Sequence, residues 1–168
     1  MNVYQWLDYS KKLTKQNPKA QCMILYTGAG RGNMSSCIIE SSNIIEIKLN
    51  DIQTQLNSFI SEHDTYFYYP NRKEEASFLC SILNSEFTFS ILKKIKSARH
   101  IQKKVWELPI PEFDNKNEVH VRLGMMGNDC AMKAKTILQE EIQYLRSTDS
   151  LQTGTIGSLR RRIKEKLL

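Results

Sequence analysis

The sequence changes character at Pro70, and this change constrains the fold more than any other feature. Before Pro70, short apolar runs of strand length alternate with polar or glycine-rich stretches; the runs are Cys22 to Tyr26, Met34 to Glu40, Asn43 to Leu49 and Thr65 to Tyr69. After Pro70, apolar residues return at helical spacings. Strands followed by helices predict an α+β fold, with the sheet in the N-terminal two-fifths and a helical C-terminal region.

The part after Pro70 contains three kinds of segment. Residues 74–96 carry a helical pattern, which the Asn84-Ser85 step can divide into two helices. Leu108 to Pro111 predicts an extended connector, because each proline removes a backbone donor and disfavours the helical conformation in its predecessor. From Glu118 to about Leu145 the periodicity predicts one long amphipathic helix, although glycines such as Gly124 weaken its early turns.

The remaining stretches are more polar. Residues 1–20 predict a short helix and a turn, and residues 50–57 a polar stretch between strands. Residues 147–157 predict a linker, which leads into a short, arginine-rich basic helix from Ser158 to Leu168. We therefore expect an α+β domain over residues 1–115 and a helical extension over residues 116–168.

The charge of the chain is strongly positive. Its 168 residues hold 24 Lys and Arg against 18 Asp and Glu, a net charge of +6. Residues 93–104 contain no acid and six bases, namely Lys93, Lys94, Lys96, Arg99, Lys103 and Lys104. Such a run is either a solvated helix face or a surface for an anionic partner, and the phosphates of DNA or RNA are the obvious anions.

Membrane insertion and secretion are disfavoured by the sequence. No apolar run approaches the length of a bilayer-spanning helix, and the first residues lack the layout of a signal peptide. The four cysteines, Cys22, Cys37, Cys80 and Cys130, are widely spaced, form no CxxC pair and lie among apolar residues. We expect them to be small buried hydrophobes in a reducing cytoplasm.

The glycine cluster Gly28, Gly30 and Gly32 is the one stretch that suggests a phosphate or cofactor loop. A cofactor loop opens a helix, whereas the residues after this cluster have the pattern of a strand. We therefore expect no cofactor here, and a tight turn that presents Arg31 and Asn33.

No catalytic or metal-binding constellation is predicted. His63, His100 and His120 are far apart, without helical metal-pair spacing, and are expected to be solvated or capping. No nucleophile and base stand at a spacing typical of an active site.

Five fragments of the chain occur in an order found in a known family: Glu74-Glu75-Ala76 with Leu79, Ile82-Leu83-Asn84-Ser85, Ala98-Arg99-His100-Ile101 with Lys103 and Lys104, Trp106 to Asp114, and Asn117 with His120. In these fragments, and in the upstream strand, glycine turn and strand from Tyr26 to Ile39, the chain resembles the C-terminal target-recognition domain of N6-adenine DNA methyltransferases. These include single-chain type II restriction-modification enzymes and phage-defence methylases.

The resemblance implies a curved, mainly antiparallel sheet with packed helices over residues 1–115. It also implies sequence-specific recognition of double-stranded DNA for a methyltransferase or restriction catalytic domain or subunit, which would carry S-adenosylmethionine. The chain lacks the Asn-Pro-Pro-Tyr tetrapeptide of that catalytic domain. We therefore expect it to be a specificity module, not an enzyme, and either a fragment or a stand-alone protein.

Residue roles follow from the chemistry of base and phosphate contacts. Arg31 and Asn33 are candidates for reading base edges, and Arg72 and Lys73 form a second candidate loop. The candidates for phosphate contacts are Lys96, Arg99, Lys103 and Lys104. Two alternatives stay open: a protein-interaction or assembly subunit that uses the 118–146 helix, and a small nuclease.

Overall fold

In the computed structural model the described residues are Gln5, Asp8, 11–27, 34–40, 45–49, 52–56, 59–61, 65–94, 104–147 and 165–166. The chain divides into two compact units, Met1–Met125 and Met126–Leu168. The first unit carries the strands and the shorter helices, so the chain has the α+β class predicted from its sequence.

Five strands form two antiparallel sheets. The strands are β1 (Cys22–Thr27), β2 (Ser36–Glu40), β3 (Ile45–Leu49), β4 (Ile52–Leu56) and β5 (Thr65–Tyr68). The larger sheet has the order β2-β1-β5, with Ile24 opposite both Ile38 and Tyr68. The smaller sheet pairs β3 with β4.

The central strand β1 is buried on both faces. Ile24 and Tyr26 belong to the main core cluster, whereas Met23 and Leu25 point to the other side of the sheet and are only 5% and 8% exposed. This explains why β1 is a continuous apolar run rather than an alternating one. β1 is therefore the buried central strand on which the other elements of the first unit pack.

Three α-helices follow the strands: α1 (Lys73–Leu83), α2 (Glu86–Lys94) and α3 (Glu118–Ser147). The division between α1 and α2 falls at Asn84 and Ser85, as predicted. The Ser85 hydroxyl accepts a hydrogen bond from the Thr88 amide at 3.2 Å, which caps the start of α2. Phe78, at the middle of α1, is completely buried, and its ring packs at a tilt against the rings of Phe113 and His120.

The first turns of α3 pack closely on α1. A Cβ atom at Gly124 would lie 3.4 Å from the Glu74 carbonyl oxygen and 3.5 Å from the Phe78 nitrogen. The Ser81 hydroxyl lies 2.8 Å from the Leu123 carbonyl oxygen, to which it donates across the two helices. A Cβ atom at Gly124 would thus touch α1 at van der Waals distance, and a longer side chain would have to push the two helices apart. The connector from Leu108 to Asn117 reaches α3 without a helix of its own, and its first part, Leu108 to Pro111, is the part that the sequence predicted to be extended.

One expectation for the strands was wrong. Residues 50–57 were expected to be a polar stretch, but Ile52–Leu56 form β4 and pair with β3, with Leu49 opposite Ile52. In the sequence of β4, Ile52, Thr54 and Leu56 alternate with two glutamines, which is the period of two of a strand. Only two residues separate Leu49 from Ile52 in the sequence, which is the length of the commonest hairpin connections.

The second unit consists of the later part of α3 and residues near the C-terminus. Glu141 is 1% exposed, and Lys166 donates to its Oε1 atom at 2.7 Å. Lys166 and Glu165 are helical, whereas the rest of the predicted basic helix and most of the 147–157 linker lie outside the described residues. Within the part of the chain that the structure describes, no helix is both long and apolar enough to cross a membrane.

Candidate nucleic-acid interface

Two of the predicted DNA-binding residues lie where the loop after β5 enters α1, and the structure places Lys73 in the first turn of the helix and not in the loop. Arg72 is the N-cap of α1, has an extended backbone and is exposed, and it makes no ion pair with any described residue. Lys73 is half-exposed, and its Nζ atom lies 2.9 Å from Glu40 Oε1 on β2. A surface ion pair of this kind is worth roughly 1 kcal/mol or less, so it does not prevent Lys73 from turning to a phosphate.

The loop is held in place by Glu75, in the first turn of α1. The Asn71 amide donates to Glu75 Oε2 at 2.9 Å, and the Tyr68 hydroxyl donates to Glu75 Oε1 at 3.3 Å. The negative charge of Glu75 also stabilises α1, because it lies near the positive, N-terminal end of the helix dipole. The backbone that carries Arg72 is therefore ordered on both sides, by β5 and by α1.

The glycine-rich segment begins at the opposite end of the sheet. Because Cys22 pairs with Glu40 and Tyr26 with Ser36, the first residues of β1 lie on the Lys73 side and Thr27 ends the strand roughly 17 Å away. Thr27 and Ser35 close the pairing through backbone and side-chain hydrogen bonds of 3.0 and 3.1 Å. The predicted strand pair around the glycine segment is thus confirmed, whereas Arg31 and Asn33 lie outside the described residues.

The basic stretch 93–104 is bracketed by two buried side chains. Leu92, in the last turn of α2, is 5% exposed, and Val105, in a 3₁₀ helix over Lys104–Glu107, is completely buried. Lys93 and Lys94 end α2 and are exposed, and the Lys93 ammonium lies 6.0 Å from the centre of the Phe89 ring. Lys96, Arg99 and Lys103 lie outside the described residues, and of Lys104 only the backbone is described.

The structure corrects part of the prediction for the cysteines. All four are free thiols, and Cys22 and Cys80 are buried as expected. Cys37 and Cys130 are exposed, so the expectation was wrong for these two. Burial raises the pKa of the Cys80 thiol to about 11, although a hydrogen bond with Ser36 opposes this effect.

His120, which was expected to be solvated or capping, is part-buried and packs on the core. Its Nδ1 atom accepts a hydrogen bond from the Asp114 amide at 3.0 Å, and its ring lies 4.6 Å from that of Phe78. The residue that caps α3 is Asn117, whose Oδ1 atom accepts from the Val119 amide at 3.0 Å. His63 and His100 lie outside the described residues. A search of the described side chains finds no group of three His, Cys, Asp or Glu residues that would hold a metal ion.

We compared the chain with protein-family models, with curated proteins and with solved structures, and none of the three comparisons finds a match. The resemblance to target-recognition domains therefore stays a prediction.

Sequence reasoning missed one concave site. A pocket of about 200 Å³ lies between the end of β5, the first turns of α1 and the connector, and Tyr68, Glu75 and Glu112 supply its polar groups. Glu75 and Glu112 are far apart in the sequence, and no local pattern signals that they line the same pocket.

Proposed function

We propose that this chain is a DNA-recognition module without catalytic activity of its own, which selects the site for an adenine-N6 DNA methyltransferase or a restriction-modification enzyme. The observation that carries the proposal is the acid-free basic segment 93–104 between two buried side chains, Leu92 and Val105. Leu92 and Val105 both belong to the core of the first unit, so the segment is joined to that core at both ends. Six positive charges within twelve residues favour the phosphates of a duplex.

The roles of the individual residues follow the chemistry of DNA contacts. Lys96, Arg99, Lys103 and Lys104 bind phosphates in this proposal and supply affinity that is independent of sequence. Arg31 and Asn33 in the glycine-rich segment, or Arg72 and Lys73 after β5, read base edges in the major groove in this proposal. The partner that methylates adenine binds S-adenosylmethionine, and the assembly acts in the cytoplasm.

A titration of labelled duplex DNA at two ionic strengths tests the proposal. We expect the isolated chain to bind weakly, with little sequence preference and with an affinity that falls steeply as salt rises. The same sample, given duplex DNA and labelled S-adenosylmethionine, should transfer no methyl group. Failure to bind DNA even at low salt would exclude DNA recognition, and robust methyl transfer by a pure sample would exclude the assignment as a specificity module.

The second candidate function is that of an assembly subunit that uses the 118–146 helix. What favours it is the exposure of large apolar side chains on α3, where Val119 is 64% exposed and Met126, one heptad later, is 55% exposed. Sedimentation of the chain with and without Val119→Glu and Met126→Glu distinguishes the two candidates. If the chain is an assembly subunit, the substitutions abolish association and the chain binds no DNA even at low salt, because its basic charge then only aids solubility.

A further inference from the structure

The pocket beside β5 combines apolar walls with negative charge. The side chains of Leu79 on α1 and of Leu108, Ile110 and Phe113 on the connector supply apolar surface. Its opening is marked by exposed residues of the connector, Pro111 and Glu112. A volume of about 200 Å³ is enough for one long side chain or a small organic molecule.

Two carboxylates belong to this pocket, and one of them is held rigidly. Glu75 is part-buried and accepts hydrogen bonds from the Asn71 amide and the Tyr68 hydroxyl, one on each oxygen. Each oxygen of an ionised carboxylate accepts more than one hydrogen bond, so Glu75 retains capacity to accept from a ligand. Its orientation is set before any ligand arrives, which lowers the entropic cost of binding.

The pKa of Tyr68 is raised by its surroundings in the pocket. Burial raises the pKa of its hydroxyl, and the charge of Glu75, the hydrogen bond to Glu75 and the charge of Glu112 raise it further. Both carboxylates therefore act on one atom of the pocket. The described lining contains no Lys or Arg, although the chain as a whole carries a net charge of +6.

We propose that this pocket binds an aliphatic cation, a single ammonium or guanidinium group on an alkyl stem of the size of a lysine or arginine side chain. The stem packs on Leu79, Leu108 and Ile110, and the head group lies between Glu75 and Glu112. The rings of Tyr68 and Phe113 add attraction for the cation. The apolar walls suit the alkyl stem of an amphipathic cation and the carboxylates suit its head group, whereas an anion is repelled by the two carboxylates and a neutral ligand does not offset their charge.

The probe that tests this chemistry is butylguanidinium, with butylurea as its neutral counterpart of the same shape. Both are titrated against the full ¹⁵N-labelled chain, and amide shifts are followed for residues 68–79 and 108–113. We expect saturable, weak binding of butylguanidinium and binding of butylurea that is weaker by roughly tenfold or more, because charge-assisted hydrogen bonds are lost. Equal binding of the two probes, or no saturable shift with butylguanidinium, would overturn the proposal.

Variants locate the binding site. Glu112→Gln removes one charge from an exposed position, and we expect it to weaken butylguanidinium binding roughly fivefold or more without affecting the fold. Glu75→Gln should weaken it as well, and a glutamine there still accepts from the Asn71 amide. Glu107→Gln is the matched control, since Glu107 is exposed and near the connector but does not line the pocket. A Glu112→Gln variant that binds like the Glu107→Gln variant would contradict the proposal.

A final experiment distinguishes two sources of the cation, a side chain of a partner polypeptide and a free small molecule. The capped tripeptide acetyl-Gly-Arg-Gly-amide is compared with its citrulline analogue and with butylguanidinium. Tighter binding of the arginine peptide than of butylguanidinium supports a basic side chain of a partner polypeptide as the natural ligand. Equal affinities support a free small cation, and preference for the citrulline peptide would refute cation recognition.

Discussion

The side chain of Asn84 forms two hydrogen bonds with the backbone of Ser36. Asn84 Oδ1 accepts from the Ser36 amide at 2.7 Å, and Asn84 Nδ2 donates to the Ser36 carbonyl oxygen at 2.9 Å. Because Asn84 is the C-cap of α1 and Ser36 begins β2, this pair ties the end of the helix to the sheet where β1 and β2 end their pairing. Together with the Lys73–Glu40 pair, it aligns α1 along β2, because Ser36 and Glu40 are the two ends of that strand.

Replacing Asn84 with Ala should lower the free energy of unfolding by roughly 0.5 to 1.5 kcal/mol, because both hydrogen bonds lie at an exposed site where water replaces part of them. Urea unfolding of the two proteins measures the difference. Asn115→Ala is the control, since Asn115 is exposed in the connector, and its effect should stay within about 0.5 kcal/mol. Equal effects of the two substitutions would show that the Asn84–Ser36 pair contributes nothing to stability.

Gly124 should tolerate alanine but not leucine. A Cβ atom there meets the Glu74 oxygen at 3.4 Å and the Ser77 Cβ at 3.8 Å, which are ordinary van der Waals contacts, and alanine favours a helix by about 1 kcal/mol over glycine. Gly124→Ala is therefore expected to be neutral or stabilising. Gly124→Leu should cost roughly 1 to 3 kcal/mol or more by forcing α3 from α1. Thermal unfolding of both variants tests this, and a harmless leucine would contradict the close packing.

The cysteines should differ in reactivity with a thiol reagent. Cys130 is exposed, so it is expected to react rapidly in the native protein, whereas Cys80 is buried with a thiol pKa of about 11 and should react only on unfolding. Mass spectrometry of peptides after timed labelling distinguishes the two sites. Labelling of Cys80 at the rate of Cys130 under native conditions would contradict the described burial.

The raised pKa of the Cys80 thiol also predicts a pH dependence of stability. An ordinary thiol pKa of 9.0 in the unfolded chain against about 11 in the folded chain means that only the unfolded state ionises in between. The contribution of Cys80 to stability is therefore intact below pH 9 and is lost as pH rises from about 9 to about 11. Urea unfolding at several pH values across this range should show that the free energy of unfolding falls less for Cys80→Ala than for the unmodified chain.

Removing two of the proposed phosphate contacts should weaken DNA binding without changing its preference. Lys103→Ala with Lys104→Ala is expected to lower affinity about equally for all duplexes and to reduce the salt slope by roughly one unit for each lost contact. The matched control is Lys133→Ala with Lys135→Ala, because both lysines are exposed on α3 and outside the basic segment. If the control pair lowers the affinity and the salt slope as much as the Lys103 and Lys104 pair does, binding depends on the net charge of the chain and not on the basic segment.

Arg31 should behave differently from the lysines if it reads a base. In the enzyme reassembled with its catalytic partner, Arg31→Ala should cost roughly 1 to 3 kcal/mol at the preferred site and relax specificity at a single base position. Mapping of methylated adenines at base resolution measures this change. An unchanged site preference would remove Arg31 from the reading surface and direct attention to Arg72 and Lys73.

The sequence by itself determined the elements that depend on local chemistry. The apolar run of β1, the break between α1 and α2 at Asn84 and Ser85, the extended Leu108 to Pro111 connector and the length of α3 all follow from propensity, periodicity and proline geometry. For the candidate interface, the sequence showed that residues 93–104 carry charge and no acid.

Only the tertiary structure decided which distant residues meet. Cys130 shares a helical stripe with Leu123 and Ile137, yet it is exposed, because burial requires another element to pack on the stripe and periodicity alone does not supply one. The pocket shared by Glu75 and Glu112 has the same origin. Long-range contacts depend on how separate elements pack together, and no local pattern in this chain encodes that.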